Sequence, residues 1–433
     1  MNLLYSNDKK GSYPNSWYAA TCQTMAPFPP LQGKVSADVC VIGAGYTGLS
    51  AALHLAQAGR DVILLDAQRI GFGASGRNGG QLGSGQRLDQ LELETLVGKS
   101  DAQKLWDLGQ DSKTLVKSLI QKHNIDCYLR PGVAWSGSSS AQVRDLHAYA
   151  DHMSAQYDYP LIKMDTEAFH ALCPSPDYKG GILDEDAAHL HPLRFVLGLA
   201  RAAQTAGVRI FEQTEAHHIE HSTKPVVRTA QGRITADHVV LATNGYSQGL
   251  ARPVAARVMP INNYIVATEP LGTRAASVLA QDIAVADSRF VINYFRLSHD
   301  KRLLFGGGES YGYRFPTDIK AKVRKPMLQI FPQLRDVSID YAWGGTLAIT
   351  MKRLPFLTRS ASNILSASGY SGHGVGTATQ AGQLIAQTII GHSEGFETMA
   401  SIPSTPFPGG PALKSPLLAL AMTWYKLRDR FGG

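Results

Sequence analysis

Apolar and polar positions along the chain alternate between strand-like and helix-like segments. Short apolar runs at 39–42 and 62–65 predict buried strands. Between them, apolar residues recur at helical spacing, and Gly59 stands where a helix C-cap belongs. Strand, helix and strand in this order predict a βαβ unit at the start of an α/β fold.

The middle of the chain carries two different patterns. Helical spacing of leucines dominates 95–155, and a second helix is expected over 194–206. Alternating runs at 290–297 and 303–308 predict antiparallel strands. This stretch therefore predicts a second, β-rich lobe.

The last third returns to the first pattern. An apolar run at 239–241 ends in a small-residue turn, and a glycine-rich loop at 369–377 leads into a helix reaching about residue 390. We therefore predict a mixed α/β (α+β) fold in which an antiparallel β-rich domain is inserted into a discontinuous Rossmann-like domain. The predicted parts are an arm (1–35), the nucleotide-binding domain (36–95, 175–248 and 341–400), a substrate domain built from a helical segment (96–174) and a β-rich segment (249–340), and an amphipathic tail (401–433).

A glycine motif stands at the first junction of strand and helix. Gly43, Gly45 and Gly48 form G-x-G-x-x-G, and Asp66 ends the second strand about 20 residues on. The glycines permit a tight turn, close approach to a pyrophosphate and close helix packing, and the acid accepts hydrogen bonds from a ribose. The helix start adds N–H groups and a positive dipole end. The alternative is a glycine-rich turn in an unrelated α/β domain, but the full arrangement favours dinucleotide binding.

A second glycine-rich loop occupies 71–81. Its glycine density excludes a regular element and is typical of a backbone that approaches a ligand or makes a tight crossing. The alternative is a flexible surface connection. We predict a functional loop against a bound ligand.

Composition narrows the function classes. The chain of 433 residues is too long to fold around one simple core. Its net charge of +7 is distributed along the chain, without a run of five basic residues. Nucleic-acid binding needs a concentrated basic stripe, so we do not expect it. The four cysteines are scattered without a C-x-x-C pair, which leaves a metal site or disulfide framework without support.

Cellular location and membrane contact are indicated by the start of the chain, by its apolar runs and by its last segment. The start lacks a basic and an apolar signal region, and no apolar run reaches the roughly 18 residues of a spanning helix. We expect a cytoplasmic protein. The basic amphipathic segment 416–431 either docks on the body, which we favour, or contacts a membrane surface.

The order of these motifs resembles the D-amino-acid-oxidase-like family of FAD-dependent oxidoreductases, which includes glycine and sarcosine oxidases. Within the family, the chain is similar to the branch that oxidises γ-glutamylated polyamines such as γ-glutamylputrescine. The segments that carry this likeness are 16–20, 71–81, 294–296, 343–346 and 369–374. The resemblance spans essentially the whole chain and is more specific for the flavoenzyme class than for the substrate.

The resemblance implies a non-covalent FAD. Its pyrophosphate would lie at the G-x-G-x-x-G turn, its adenine near Ala67, Gln68 and Ala216, and its isoalloxazine between 75–81 and 372–377. Asp66 departs from the glutamate that the family more often has, although either acid accepts the ribose hydroxyls. The expected cofactor-binding residues are Gly43, Ala44, Gly45, Tyr46, Thr47, Gly48, Asp66, Ala67, Gln68, Ala74, Ser75, Gly76, Arg77, Asn78, Gly79, Gly80, Gln81, Ala216, Ala242, Thr243, Asn244, Gly372, His373, Gly374, Val375, Gly376 and Thr377.

The implied reaction is oxidative deamination. A neutral amine passes a hydride to flavin N5, and the imine hydrolyses to an aldehyde and ammonia. The electron acceptor is dioxygen or another oxidant. The strand at 260–264 lacks the lysine that related oxidases often place over the flavin, so the choice stays open.

Three residues are candidates for catalysis or substrate binding. His373 lies in the late loop and is either a base or a loop histidine that fixes backbone. Tyr294 and Arg296 share one face of a strand, where the arginine would hold a substrate carboxylate and the tyrosine would line the pocket. The alternative is a solvated pair on the outside of the strand. His191 and Trp343 are expected to be structural.

Other functions fit parts of this pattern. A close rival is oxidation of a small α-amino or N-methyl amino acid, as in glycine or sarcosine oxidases. A nicotinamide dehydrogenase shares the first fingerprint but does not need the late glycine loop. A non-catalytic flavin-binding subunit is the alternative from another class.

Overall fold

The structure is a computed structural model that describes residues 2–247, 249–289, 291–310 and 312–408. The amphipathic segment predicted at 416–431, and residue 290 of a predicted strand, lie outside the described residues. The helices are α1 (Trp17–Ala20), α2 (Tyr46–Gln57), α3 (Gln90–Val97), α4 (Lys99–Lys122), α5 (Ser140–Tyr157), α6 (Thr166–Leu172), α7 (Pro192–Thr205), α8 (Arg252–Arg257), α9 (Ile319–Ile330), α10 (Gly374–Ile389) and α11 (Glu394–Ala400). The strands are β1 (Gly33–Ile42), β2 (Val62–Leu65), β3 (Gln81–Leu82), β4 (Arg130–Gly137), β5 (Ile162–Met164), β6 (Gly180–His189), β7 (Arg209–Phe211), β8 (Ala216–Glu220), β9 (Val226–Thr229), β10 (Gly232–Leu241), β11 (Met259–Thr268), β12 (Ala284–Asp287), β13 (Tyr294–Leu297), β14 (Leu303–Ser310), β15 (Ile339–Ile349), β16 (Phe356–Ala361) and β17 (Ile364–Ser368).

The first sheet confirms the predicted βαβ unit. Its strands run in the order β16-β17-β10-β1-β2-β7, and β1 lies parallel to both β2 and β10. Strands β17 and β7 extend the parallel part, and β8 and β9 join at the side of β10. The carboxyl ends of β1, β2 and β10 therefore meet at one edge, where ligands bind in open α/β sheets.

The short apolar runs form buried strands because both faces of the sheet are covered. Val39 and Val41 of β1 pack with α2, α7 and α10 on one face. The intervening Cys40 and Ile42 pack with β8, β9 and α8 on the other. This explains why the runs are continuously apolar rather than alternating.

The second sheet is the β-rich lobe. Its strands run in the order β15-β11-β14-β13-β12-β4-β6-β3, and β5 pairs with β6. The predicted antiparallel pairing of β13 with β14 is confirmed. Helix α9 covers the sheet through Val323 and Met327, which join Phe295 and Phe305 in a second core.

Two expectations differ from the structure. The segment 96–174, expected to be helical, also supplies β4 and β5 to the second sheet, and β6 and β15 join that sheet from segments assigned to the nucleotide-binding domain. Strand β6 contains three acidic residues, so its pairing with β4 is not visible as an apolar run. The arm also does more than cover the surface, because Trp17 and Tyr18 are fully buried.

Helix α7 begins where the sequence indicates. His191 is its N-cap, and the imidazole Nδ1 accepts a hydrogen bond from the Arg194 N–H (3.2 Å). Pro192 takes the first helical position, where its missing N–H costs nothing. Within the described ranges, no helix is both long and apolar enough to cross a membrane.

Candidate active site

The turn between β1 and α2 is built for glycine. Gly43 has a φ of +107°, and a Cβ there would lie 2.6 Å from Ala242 O. A Cβ at Gly48 would overlap Gly43 O. Because only hydrogen fits, the start of α2 lies close against the ends of β1 and β10, and Gly43, Gly45 and Tyr46 line a long cavity. This is the cradle that a pyrophosphate needs.

Asp66 fixes two backbone segments beside this turn. Its carboxylate accepts hydrogen bonds from Ala44 N–H and Gln68 N–H, both at 2.8 Å. Burial raises the pKa of Asp66 to about 6, although the hydrogen bonds from these two N–H groups lower it. The side chain lines the cavity and can therefore accept hydrogen bonds from a ribose as well.

The N-terminal arm closes the cavity beyond Asp66. Leu4 lines this end, and its carbonyl accepts a hydrogen bond from the Gln68 amide (2.6 Å). Asn2 and Tyr5 donate to the Glu215 carboxylate at 3.0 and 2.7 Å. Gln68 therefore holds the arm and does not line the cavity, unlike the predicted contact to adenine. No local pattern in the sequence predicts that Leu4 lines the cavity.

The loop 71–81 packs against the start of α2. Ser75 Oγ accepts a hydrogen bond from Tyr46 N–H (3.0 Å), and Asn78 Oδ1 accepts one from Gly80 N–H (2.8 Å). Arg77 lines the cavity, and its buried Nη2 has no hydrogen-bond partner among the described residues. The loop is thus a packed wall rather than a free surface connection, and Arg77 is held in it by the carbonyls of Phe72 and Gly344 and by the Asp8 carboxylate.

The late loop brings the start of α10 to the same cavity. Gly372, His373 and Gly374 line it, and no side chain caps the helix at His373. The first N–H groups and the positive dipole end of α10 therefore face the cavity. The hydroxyls of Tyr370 and Thr47 lie 2.6 Å apart and join the two helix starts.

The second sheet supplies the remaining wall. The Tyr294 hydroxyl donates to Asn263 Oδ1 (2.6 Å), and burial raises the pKa of this phenol. The Tyr294 ring lies directly over Gly79 and Gly306, where a Cβ would collide with it. Tyr294 thus lines the cavity, and its phenol stays protonated in the physiological range.

Arg296 does not reach the cavity. Its guanidinium is buried and donates to the carbonyls of Gly79 (2.9 Å) and Leu190 (3.0 Å). Because these bonds turn Arg296 towards the protein interior, it holds the loop before β3 rather than a substrate carboxylate. The two-residue spacing from Tyr294 did not reveal this, since β13 is covered on both sides.

His373 is held as a neutral imidazole. Its Nε2 lies 3.2 Å from Gly85 O, and because a carbonyl can only accept, Nε2 carries the proton. Burial, together with the nearby Arg87 charge, lowers the pKa of His373 to about 4. Its position at the cavity agrees with the prediction, and its chemistry is that of a weak base.

Most of the predicted cofactor residues converge on one cavity. Those that line it are Gly43, Gly45, Tyr46, Thr47, Asp66, Ala67, Ala74, Ser75, Arg77, Asn78, Gly79, Gly80, Gln81, Ala216, Ala242, Thr243, Asn244, Gly372, His373, Gly374 and Val375. Those that stand behind the lining are Ala44, Gly48, Gln68, Gly76, Gly376 and Thr377. The sequence analysis missed Leu4, Arg87, Trp135, Tyr246, Asn263, Glu309 and Arg353, which reach the cavity from distant segments.

The cavity fits FAD. Glycine turns that a Cβ would fill lie at one end, Asp66 faces the same space, and two helix starts point into it. Among the described residues, no group of three His, Cys, Asp or Glu side chains is placed to hold a metal ion. The glycine turns, the acid and the helix starts together are typical of a dinucleotide-binding site.

Comparison with known families agrees with this class. The profile of the DAO family, described as FAD dependent oxidoreductase, matches residues 38–388. The chain belongs to this family, and the predicted family, enzyme class and FAD cofactor are confirmed.

The sequence relatives are similar over nearly their whole length. The chain is 43% identical over 418 residues to the probable oxidoreductase OrdL of Rhizobium meliloti, covering 96% of this chain and 97% of the relative. It is 40% identical over 420 residues to the γ-glutamylputrescine oxidoreductase of Escherichia coli, covering 96% and 99%.

Solved structures share the fold. Glycine oxidase from Geobacillus kaustophilus superposes with a TM-score of 0.69 at 20% identity, over 82% of this chain and 95% of that one. L-proline dehydrogenase from P. horikoshii gives a TM-score of 0.69 at 20% identity, over 83% and 94%. These likenesses confirm the predicted Rossmann-like domain with a second β-rich domain.

Proposed function

We propose that the protein catalyses the FAD-dependent oxidative deamination of an amine, with a γ-glutamylated polyamine such as γ-glutamylputrescine as substrate. The observation that carries the redox part is the single cavity that joins two glycine-built helix starts to the β11–β13 wall. The substrate rests on the 40% identity to the E. coli enzyme of that name over 99% of its length. The products would be the corresponding aldehyde and ammonia.

The cofactor and different parts of the chain have different roles in this reaction. Bound FAD supplies the acceptor for the two electrons that the carbon–nitrogen bond loses. The N–H groups at the start of α10 favour negative charge in the cavity without any titrating side chain. Tyr294, fixed by Asn263, sets one wall against which the substrate chain lies.

Water is kept from the reacting centre by apolar side chains of the second sheet and of the connection before β13. Val133, Trp135, Ile265, Ile292 and Leu347 line the cavity. An apolar wall disfavours an ammonium ion and favours the neutral amine, which is the form able to give up hydride. His373, with its pKa lowered to about 4, is neutral at pH 7 and adds no positive charge against this.

Anaerobic flavin reduction tests the proposal. The purified yellow protein is mixed with γ-glutamylputrescine, putrescine, sarcosine or glycine, and the loss of visible flavin absorbance is followed. We expect fast bleaching by γ-glutamylputrescine and at least about tenfold slower bleaching by the others, since one missing recognition element costs about that factor. Faster bleaching by glycine or sarcosine would assign the enzyme to small amino acids. Bleaching by none would contradict amine oxidation altogether.

The same preparation identifies the electron acceptor. No lysine is present among the described residues that line the cavity. Peroxide release in air is compared with reduction of an artificial dye under nitrogen, at equal substrate. Turnover in air at the rate of flavin bleaching would identify an oxidase, whereas turnover only with dye would identify a dehydrogenase.

A further inference from the structure

Three charged side chains line the cavity away from the glycine turn and away from the end formed by Asp66 and Glu215. Arg87 follows β3, Glu309 lies near the end of β14, and Arg353 stands in the connection between β15 and β16. They come from three distant parts of the chain, and none belongs to the dinucleotide motif. None of the three is among the residues expected to bind FAD.

The backbone holds two of these side chains close to the reacting end of the cavity. Arg87 Nε donates to Ser371 O (3.2 Å), which ties it to the loop before α10. Glu309 is paired across β11 and β14 with Asn263, the residue that accepts the Tyr294 hydroxyl. Arg87 and Glu309 thus flank the wall where the substrate chain is expected to lie.

The third residue is fixed by its own backbone. Arg353 is a non-glycine residue with a φ of +58°, a conformation that an L-residue holds only when its surroundings require it. Its N–H donates to Thr350 O (3.2 Å), which closes the turn. The turn presents the guanidinium to the cavity.

The charges of the cluster influence one another. Burial and the positive charge of Arg353 together lower the pKa of Arg87 to about 10, while the carboxylates of Glu92 and Glu309 oppose this. Two neighbouring guanidinium groups in a cavity favour a carboxylate, and the nearby carboxylate of Glu309 favours an ammonium. A ligand that carries both charges satisfies the cluster better than an anion or a cation alone.

We propose that Arg87, Arg353 and Glu309 form the recognition site for the zwitterionic α-amino-acid head of a γ-glutamylated amine. The two arginines bind its carboxylate and Glu309 binds its ammonium group. This inference rests on the proposed function and adds the source of its substrate specificity. In this proposal Arg87 and Arg353 bind the substrate carboxylate in place of Arg296, whose guanidinium donates to backbone carbonyls.

A pair of substrates tests the recognition site. γ-Glutamylputrescine and N-acetylputrescine share the reacting amine and the amide, but only the first has the charged head. For Arg87→Gln, Arg353→Gln and Glu309→Gln, kcat/KM for γ-glutamylputrescine is expected to fall about 10–100-fold, the range of a lost charge-assisted contact. With N-acetylputrescine, kcat/KM is expected to stay within about threefold of the wild-type value, since this substrate has no charged head for the three side chains to bind.

Lys352→Gln is the matched control. It removes one positive charge from the same turn, at a side chain that does not line the cavity. It should leave both substrates unaffected. Equal losses for both substrates in the Arg87, Arg353 and Glu309 variants would show a structural ion network and overturn the recognition site.

A binding measurement separates this inference from the proposed function. Nδ-butyl-L-glutamine keeps the head and the chain but lacks the reacting amine, so it binds without reducing the flavin. Its Kd, read from the change in flavin absorbance, should rise at least about tenfold in each of the three variants. An unchanged Kd overturns the recognition site even if γ-glutamylputrescine bleaches the flavin. Failure of γ-glutamylputrescine to bleach the wild type contradicts the proposed function instead.

Discussion

Individual side chains at this site are placed mainly by contacts with glycine and backbone groups. Tyr294 lies over two glycines, Ser75 caps an N–H of α2, and Asp66 accepts two backbone N–H groups. Side chains held in this way lose little additional entropy when a ligand binds. The precision of the cavity therefore depends on small residues behind the lining, such as Gly306.

Two variants separate the hydroxyl of Tyr294 from the position of its ring. Tyr294→Phe removes only the bond to Asn263, worth about 1 kcal/mol, and we expect kcat/KM to fall less than about tenfold. Gly306→Ala places a methyl group where the ring lies and should cost more than Tyr294→Phe. Steady-state kinetics with thermal unfolding of each variant makes the comparison. A larger loss for Tyr294→Phe would assign a chemical role to the hydroxyl.

At the scale of secondary-structure elements, the site is an edge where β1, β2 and β10 end and α2 and α10 begin. The two helices pack closely because Gly382 of α10 lies against the backbone of α2, where a Cβ would overlap Thr47 O. The Tyr370–Thr47 hydrogen bond adds to this contact. Direct contacts therefore join the starts of the two helices, so a disturbance of the first turn of α2 is expected to reach α10 as well.

Gly48→Ala tests this turn. Its new methyl group would overlap the backbone at Gly43, so the turn must shift away from the pyrophosphate. We expect the Kd for FAD, measured by titration of the apoprotein, to rise at least about tenfold, the effect of losing about 1.4 kcal/mol of binding, and the flavin content of the purified protein to fall. Gly312→Ala is the control, since a Cβ there meets nothing within 4 Å. Full flavin content in Gly48→Ala would contradict the assigned phosphate site.

At the scale of the whole molecule, several histidines are buried as neutral groups where the two lobes meet. Burial lowers the pKa of His189 to about 4 and holds the pKa of His191 well below its usual range. His373 behaves in the same way. The unfolded chain takes up these protons below about pH 6.5, so the folded state is fully favoured above that pH and loses stability as the pH falls towards 4.

The pH dependence of the free energy of unfolding tests this link between histidine protonation and stability. Asp66, with its pKa raised to about 6, acts in the opposite direction, because its protonation favours the folded state. We expect the free energy of unfolding, measured in urea with saturating FAD, to fall between pH 6.5 and 5. His191→Asn keeps a capping side chain but removes one titrating group, and should reduce the slope by up to about 1.4 kcal/mol per pH unit. An unchanged slope would show that His191 does not titrate on unfolding.

The sequence by itself determined the features that a few neighbouring residues encode. The turn at Gly43–Gly48, the acid at Asp66 and the start of α7 at His191 follow from backbone freedom, capping and spacing, which act over a handful of residues. The same local rules predicted the two glycine-rich loops that line the cavity. The family resemblance added FAD, which is confirmed, and the substrate class, which is a proposal.

Only the tertiary structure decided which distant segments meet. It buried Arg296 against backbone carbonyls, placed the acidic strand β6 in the second sheet, and brought Arg87, Glu309 and Arg353 into one cavity. Strand pairing and side-chain direction depend on what covers each face, and that cover comes from residues far away in the chain. A local sequence pattern does not specify which distant residues will cover a strand face. These parts of the site therefore became visible only in three dimensions.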